Sequence, residues 1–171
     1  KLHGTSFRCS NAIQITKKKR NLILKKIFKL KDKEVKQFKL VSGTRRVVID
    51  DFDKECYYSS NAFRKPYHDF FKNKLPKGME VFGEIVGWVN ETTPIMSKCS
   101  NKLVKDKEFS KMYGTETIFT YGCKPGESDM YVYRITLTNE DGVVIELPTE
   151  EVKAWCDKLG CKYVPILDKF L

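Results

Sequence analysis

Residues 79–89, Met-Glu-Val-Phe-Gly-Glu-Ile-Val-Gly-Trp-Val, constrain the fold more than any other stretch of the chain. Apolar and polar side chains alternate there well enough for a strand, while Gly83 and Gly87 leave gaps in which backbone or a ligand can approach closely. A strand of this kind needs neighbours, and the chain offers several. Residues 129–138 and 142–147 read as a hairpin turning at Asn139-Glu140-Asp141-Gly142, where Asp-Gly is the strong local signal. Residues 5–15 partly alternate, and 45–50, Arg-Arg-Val-Val-Ile-Asp, read as a short strand after the Ser42-Gly43 turn.

Two helices are predicted. One begins after Ser59-Ser60-Asn61 and runs over 59–75, with Phe63, Tyr67, Phe70, Phe71 and Leu75 on one side, Pro66 in an early turn, and Pro76 and Gly78 as its stop. The other is capped by Thr149 and runs to about Leu159, with Glu150 and Glu151 in its first turn and Gly160 beyond its end. Residues 91–114 have no clear period and read as irregular. Non-sequential strands with flanking helices predict an α+β fold with a largely antiparallel sheet.

A chain of 171 residues supports one domain with a real apolar core. Its 32 Lys and Arg against 22 Asp and Glu give a net charge of +10, an excess that attracts polyanions, nucleic acid first among them, and that also serves merely to keep a surface solvated. Residues 17–39 concentrate the lysines, interleaved with Leu22, Ile23, Leu24, Ile27, Phe28 and Leu30. The period allows a basic amphipathic helix or a hairpin, and the stretch suits either a solvated face or an RNA-contacting insertion. The cysteines at 9, 56, 99, 123, 156 and 161 form no CxxC and no zinc spacing; they read as reduced core residues in a reducing compartment. No apolar run approaches the ~20 residues of a membrane span, so an intracellular, cytoplasmic protein without a membrane partner is expected. The first residue is Lys rather than Met, which suggests a chain cropped from something longer.

Four short runs carry chemistry. Lys1-Leu2-His3-Gly4-Thr5-Ser6, taken alone, is a surface turn. Phe82-Gly83-Glu84-Ile85-Val86-Gly87 sets a carboxylate between two glycines, where it suits a sugar hydroxyl or a metal-bound water as well as a half-exposed strand position. In Asp129-Met130-Tyr131-Val132-Tyr133-Arg134-Ile135 the alternation turns Tyr131 and Tyr133 to one face and Val132 to the other; a tyrosine there stacks on a flat base or joins the core. Ser42-Gly43-Thr44-Arg45-Arg46 offers a guanidinium for phosphate oxygens.

Together these runs resemble a known family. KLHGTS is similar to the KxHG form of the nucleotidyl-acceptor motif of ATP-dependent RNA ligases, a branch of the covalent nucleotidyltransferase superfamily that includes DNA ligases and mRNA capping enzymes. FGEIVG at 82–87 resembles that superfamily's third motif, and MYVYRI at 130–135 the aromatic strand that follows it. The closing stretch 155–171 is similar to RNA ligase domains that seal nicked duplex RNA, and His3 in place of aspartate tilts the resemblance from DNA ligase to RNA ligase.

The resemblance implies an ATP-grasp-like nucleotidyltransferase domain over 1–171, incomplete at both ends. It implies that Lys1 takes AMP from ATP, that Glu84 contacts the ribose or a water on magnesium, and that Tyr133 stacks on adenine. It further implies that His3 and Gly4 shape the loop beneath the AMP phosphate, and that Arg45 or Arg46, with Ser6, meets phosphate or RNA. ATP and Mg2+ are the implied cofactors, and RNA with 5′-phosphate and 3′-hydroxyl ends is the implied partner; no protein partner is implied. Ser6 stands where some relatives have asparagine, and Arg134 where aspartate is common. The family's glutamate-glycine and Lys-x-Lys strands are not recognisable after residue 135, in keeping with a cropped domain. A DNA-ligase-like or other polynucleotide nucleotidyltransferase, or a non-catalytic basic RNA-binding module, is the alternative.

Overall fold

A computed structural model describes residues 2–18 and 33–165. Lys1 and residues 19–32 of the lysine-rich stretch lie outside the described residues.

The protein is α+β, built on one seven-stranded sheet that is antiparallel except for one pairing. Its strands are β1 (Thr5–Lys18), β2 (Lys33–Gly43), β3 (Val48–Ile49), β6 (Met79–Gly87), β9 (Ser128–Thr138), β10 (Val144–Glu146) and β11 (Lys162–Tyr163). They lie in the order β10-β9-β6-β1-β2-β3, and β11 runs parallel beside β9. Among the described residues two small two-stranded sheets stand apart: the hairpin of β4 (Glu55–Cys56) with β5 (Ser59–Ser60), and β7 (Cys99–Ser100) with β8 (Glu116–Thr117). Between the two readings of the basic stretch, its described ends are strands, paired from Arg8↔Gly43 to Lys18↔Lys33.

Side chains on one face of the sheet make the core. Phe7 and Cys9 of β1, Val81 and Ile85 of β6, and Met130, Val132 and Ile135 of β9 are buried together. Helix α1 (Lys65–Phe71) covers them with Phe71, and α3 (Thr149–Leu159) covers them with Val152, Cys156 and Leu159. Each large side chain buried this way contributes roughly 1.5–3 kcal/mol. Cys9 and Cys156 belong to this core, whereas Cys99 is exposed, so the expectation of six core thiols holds only in part.

Several boundaries differ from the pattern-based expectation. The strand expected over 45–50 shrinks to Val48–Ile49, because Thr44 closes a turn on Val47 and leaves Arg45 and Arg46 in a bend. The helix expected over 59–75 is a 3-10 turn (Ala62–Arg64) running into α1, with Pro66 in its first turn where no donor is needed. It ends at Phe71 rather than at Pro76, because Lys72 turns extended and Asn73 sits at φ 64, while Leu75 reaches the core from the loop. Within 91–114, expected to be irregular, α2 (Lys107–Tyr113) forms because the Asp106 carboxylate accepts the N–H groups of Glu108 and Phe109. Pro148, not Thr149, is the cap residue of α3, while Gly160 in the left-handed region (φ 77) ends it as expected. Among the described residues no helix is long and apolar enough to cross a membrane.

Candidate active site

The face of the sheet opposite the helical core carries several of the residues singled out in the sequence. Ser6 pairs with Glu84 across β1 and β6, so the two side chains share this face, away from Phe7, Val81 and Ile85. Just before β1, the Gly4 N–H donates to Glu84 Oε1 at 3.2 Å, which ties the glycine of the first run to the carboxylate of the second. Glycine is required there: a Cβ would collide with the Ile85 carbonyl oxygen and come within 3.0 Å of Glu84 Cγ.

Tyr133 reaches the same face through an irregularity of the ladder. Phe82 pairs with Arg134 and Gly83 with Val132, so Tyr133 is the extra residue of a β-bulge. The bulge shifts the alternation, and β9 buries Met130 and Val132 before it and Ile135 after it, while Tyr133 stays 47% exposed. Partial burial pushes the Tyr133 phenol above its usual range, and the negative charge of Glu84 pushes it the same way, against the Arg134 and Arg45 cations. Ring, carboxylate and guanidinium therefore occupy one electrostatic neighbourhood.

The two candidate arginines separate. Arg45 donates its backbone N–H to Ser6 Oγ at 3.0 Å, anchoring the bend to β1 beside Glu84. The Arg46 N–H turns back to Thr44 Oγ1 at 3.4 Å within its own bend. His3 is exposed; its backbone N–H donates to the Tyr121 hydroxyl at 2.6 Å and its ring lies 5.2 Å from that of Phe119. The segment around 119–121 thus supports the loop, a role that no period or motif in 115–125 signals. Lys1 lies outside the described residues.

A family model for RNA ligase matches residues 1–171. This chain belongs to the RNA ligase family. No curated protein matches it at a significant level. An RNA ligase-type activity on an RNA substrate follows from the family.

Two further arginines of this RNA ligase have roles that its sequence does not announce. Arg134 pairs with Glu146 at 2.7 Å and lies over the Phe82 ring at 5.0 Å. Arg64, only 2% exposed, crosses from the helical layer to the start of β1. Its Nη2 donates to Thr5 Oγ1 at 2.6 Å and its Nη1 to Asn61 Oδ1 at 2.7 Å, while the Phe63 ring lies 4.4 Å from the guanidinium carbon. No carboxylate faces it among its described contacts, and its Nε has no partner. Burial holds its pKa below the usual arginine range. A buried cation balanced only by neutral oxygens and rings costs stability, and here it fixes the residue that follows Gly4.

Magnesium finds no ready-made cage. Among the described residues no group of three or more His, Cys, Asp or Glu side chains is placed to hold a metal ion. The Glu84 carboxylate, which accepts the Gly4 N–H, would suit an ion carried on phosphate oxygens and reached through water.

Proposed function

We propose that this RNA ligase is ATP-dependent and joins RNA 5′-phosphate and 3′-hydroxyl ends through a lysyl-AMP on Lys1, within a covalent nucleotidyltransferase fold. The observation that carries the reading is the Gly4–Glu84 hydrogen bond, which sets the loop after Lys1 against a carboxylate on the face that also holds Tyr133. Three peptide links join Lys1 to Gly4, a tether of at most about 11 Å.

In this mechanism the neutral Lys1 amine attacks the α-phosphorus of ATP. A P–N bond forms, the bond from the α-phosphorus to the β-bridging oxygen breaks, pyrophosphate leaves and the amine loses a proton. An RNA 5′-phosphate oxygen then attacks the same phosphorus and the P–N bond breaks, returning the amine and leaving AMP on the RNA end. Attack of a 3′-hydroxyl on the RNA phosphate expels AMP and closes the strand.

Glu84 suits the ribose hydroxyls, and Tyr133 presents a ring face suited to adenine. Ser6 and the Arg45 guanidinium suit the phosphate side, with His3 and Gly4 shaping the floor. Glu84 would hold a magnesium ion through water, and the ion would supply charge neutralisation for the phosphates and the leaving pyrophosphate.

The test is incubation of the protein with ATP labelled in the α-phosphate, with and without a magnesium chelator, comparing wild type with Lys1→Ala. Covalent label on wild type alone, lost with chelator, is expected. Equal labelling in both removes Lys1 from the mechanism, and absence of label from both leaves the chain an RNA-binding member of its family. Paired ligation reactions with RNA and with DNA 5′-phosphate strands set the polynucleotide preference.

A further inference from the structure

The hairpin of β4 and β5 takes no part in the site described above. Its strands pair through Glu55↔Ser60 and Cys56↔Ser59, with Ser59 at φ 69 completing a tight turn. The two tyrosines of that turn go separate ways. Tyr58 packs inward, edge-on to Phe63 at 5.3 Å and 5.4 Å from the Arg64 guanidinium. Tyr57 is 86% exposed, its ring held edge-on to Tyr58 at 4.9 Å and 86°.

Beside them lies a cavity of about 190 Å³, bounded by both tyrosines and Ser59 on one side and by Asn90, Thr93 and Ser97 on the other. It falls below the roughly 300 Å³ at which pockets for drug-sized ligands begin, a size suited to a single planar group. Its lining offers hydroxyls and an amide. Asn90 turns its carbonyl oxygen onto the N–H groups of Thr92 and Thr93, which leaves its NH2 for another acceptor.

The cavity lies at the same end of the sheet as the Gly4 loop. Its far wall follows directly on β6, where the Ile95 N–H bonds to the Gly87 carbonyl. Its near wall rests on Phe63 and Arg64, and Arg64 grips Thr5.

We propose that Tyr57 and this cavity form a subsite for one unstacked base of the RNA strand being joined, Tyr57 giving the stacking face and Asn90, Thr93 and Ser97 the hydrogen bonds to the base edge. Single-stranded RNA ends are recognised by splaying bases onto aromatic rings, and such stacking tolerates any base because every base has a π-face. The Tyr57 ring already rests edge-on against Tyr58, which reduces the side-chain freedom lost on binding. The net charge of +10 supplies the sequence-independent attraction for the phosphates. This subsite rests on RNA as the family's substrate and not on the chemistry of Lys1.

The test uses the full chain and a short 5′-phosphorylated RNA with 2-aminopurine as its 5′-terminal base, a fluorophore quenched by stacking. Wild type and Tyr57→Phe are expected to bind alike and to quench. Tyr57→Ala is expected to bind roughly tenfold or more weakly and to lose the quench. Its melting temperature and ATP self-labelling should be unchanged, because the side chain is exposed. Ser97→Phe, which fills the cavity while leaving Tyr57 in place, is expected to weaken binding as well. Equal affinity and equal quench in Tyr57→Ala overturn the proposal; unchanged binding by Ser97→Phe overturns the part assigned to the cavity. Absence of self-labelling in wild type would count against the lysyl-AMP mechanism and leave these RNA measurements unaffected.

Discussion

The two faces of β6 differ in what they do, although they alternate residue by residue along one strand. Val81 and Ile85 point under the helices and are fully buried, whereas Glu84, between Gly83 and Ile85, faces the uncovered side with Ser6. One face gains its free energy from excluding water. The other keeps a carboxylate, a phenol and cations within reach of solvent, where a ligand can meet them. Neighbouring positions on one strand therefore separate stability from chemistry, and their mutations should separate in the same way.

The largest effects are expected from one contrasting pair. Ile85→Ala should lower unfolding free energy by roughly 2–5 kcal/mol, as loss of a core isoleucine does when the cavity cannot collapse, read as the midpoint of a urea titration. Glu84→Gln keeps the shape and an acceptor for the Gly4 N–H on a partly exposed face, so it should cost clearly less than Ile85→Ala. Its ATP self-labelling should fall on the order of a hundredfold, the usual scale for removing one preorganised electrostatic partner. If Glu84→Gln unfolds as readily as Ile85→Ala, the two faces are not separate in function.

Arg64 sharpens the comparison because it belongs to both layers. It is buried among Phe63 and Tyr58 on the helical side, yet its guanidinium ends on Thr5, one residue from Gly4. Arg64→Met keeps volume and removes the cation. The desolvation cost disappears along with the two hydrogen bonds, so the net change in stability should be small, about 1 kcal/mol in either direction. Self-labelling should fall about tenfold to a hundredfold through misplacement of the loop, with Arg64→Lys recovering part of the loss. A melting temperature that drops as far as that of Ile85→Ala, with labelling per folded molecule intact, would make Arg64 an ordinary core residue.

The core-building elements were legible because their signals are local. The alternation at 79–89, the Asp141-Gly142 turn and the Glu150, Glu151 and Gly160 punctuation of α3 each show in fewer than a dozen residues. Features that depend on distant partners were not. The parallel pairing of β11 requires Lys162 to find Tyr131, and the bulge at Tyr133 arises only when β9 meets β6. Arg64 sits in an aromatic helical segment where nothing nearby marks it as buried. Helix α2 was not read from the sequence, because its seven residues bury no side chain and so carry no apolar period.

Of the site, that Gly4 and Glu84 belong together was implied only by the resemblance to RNA ligases. The different anchoring of Arg45 and Arg46 was not legible, because it depends on which N–H of a bend reaches Ser6.

The smallest expected effect tests the covered face by pH. His68 of α1 lies against the sheet, its Nδ1 2.8 Å from Ser42 Oγ, with the Phe52 ring 5.3 Å away. Burial holds its pKa below the ordinary value of 6.5; Asp69 opposes that shift, while Lys65 and Lys72 reinforce it. A histidine whose pKa is depressed by folding binds protons more readily when unfolded, so its contribution is complete above pH 6.5. The contribution declines as pH falls from there towards the folded-state value and levels off below it. Melting temperatures measured between about pH 5 and pH 8 should show this decline in wild type and a shallower one in His68→Phe, which keeps the ring and removes the titration. The open face should not share the trend: Glu84→Gln leaves His68 and its Ser42 contact intact, so it should keep the wild-type decline over that range. A parallel shift in both variants would mean that protonation under the helices is felt across the sheet, and that the separation of the two faces is weaker than their burial implies.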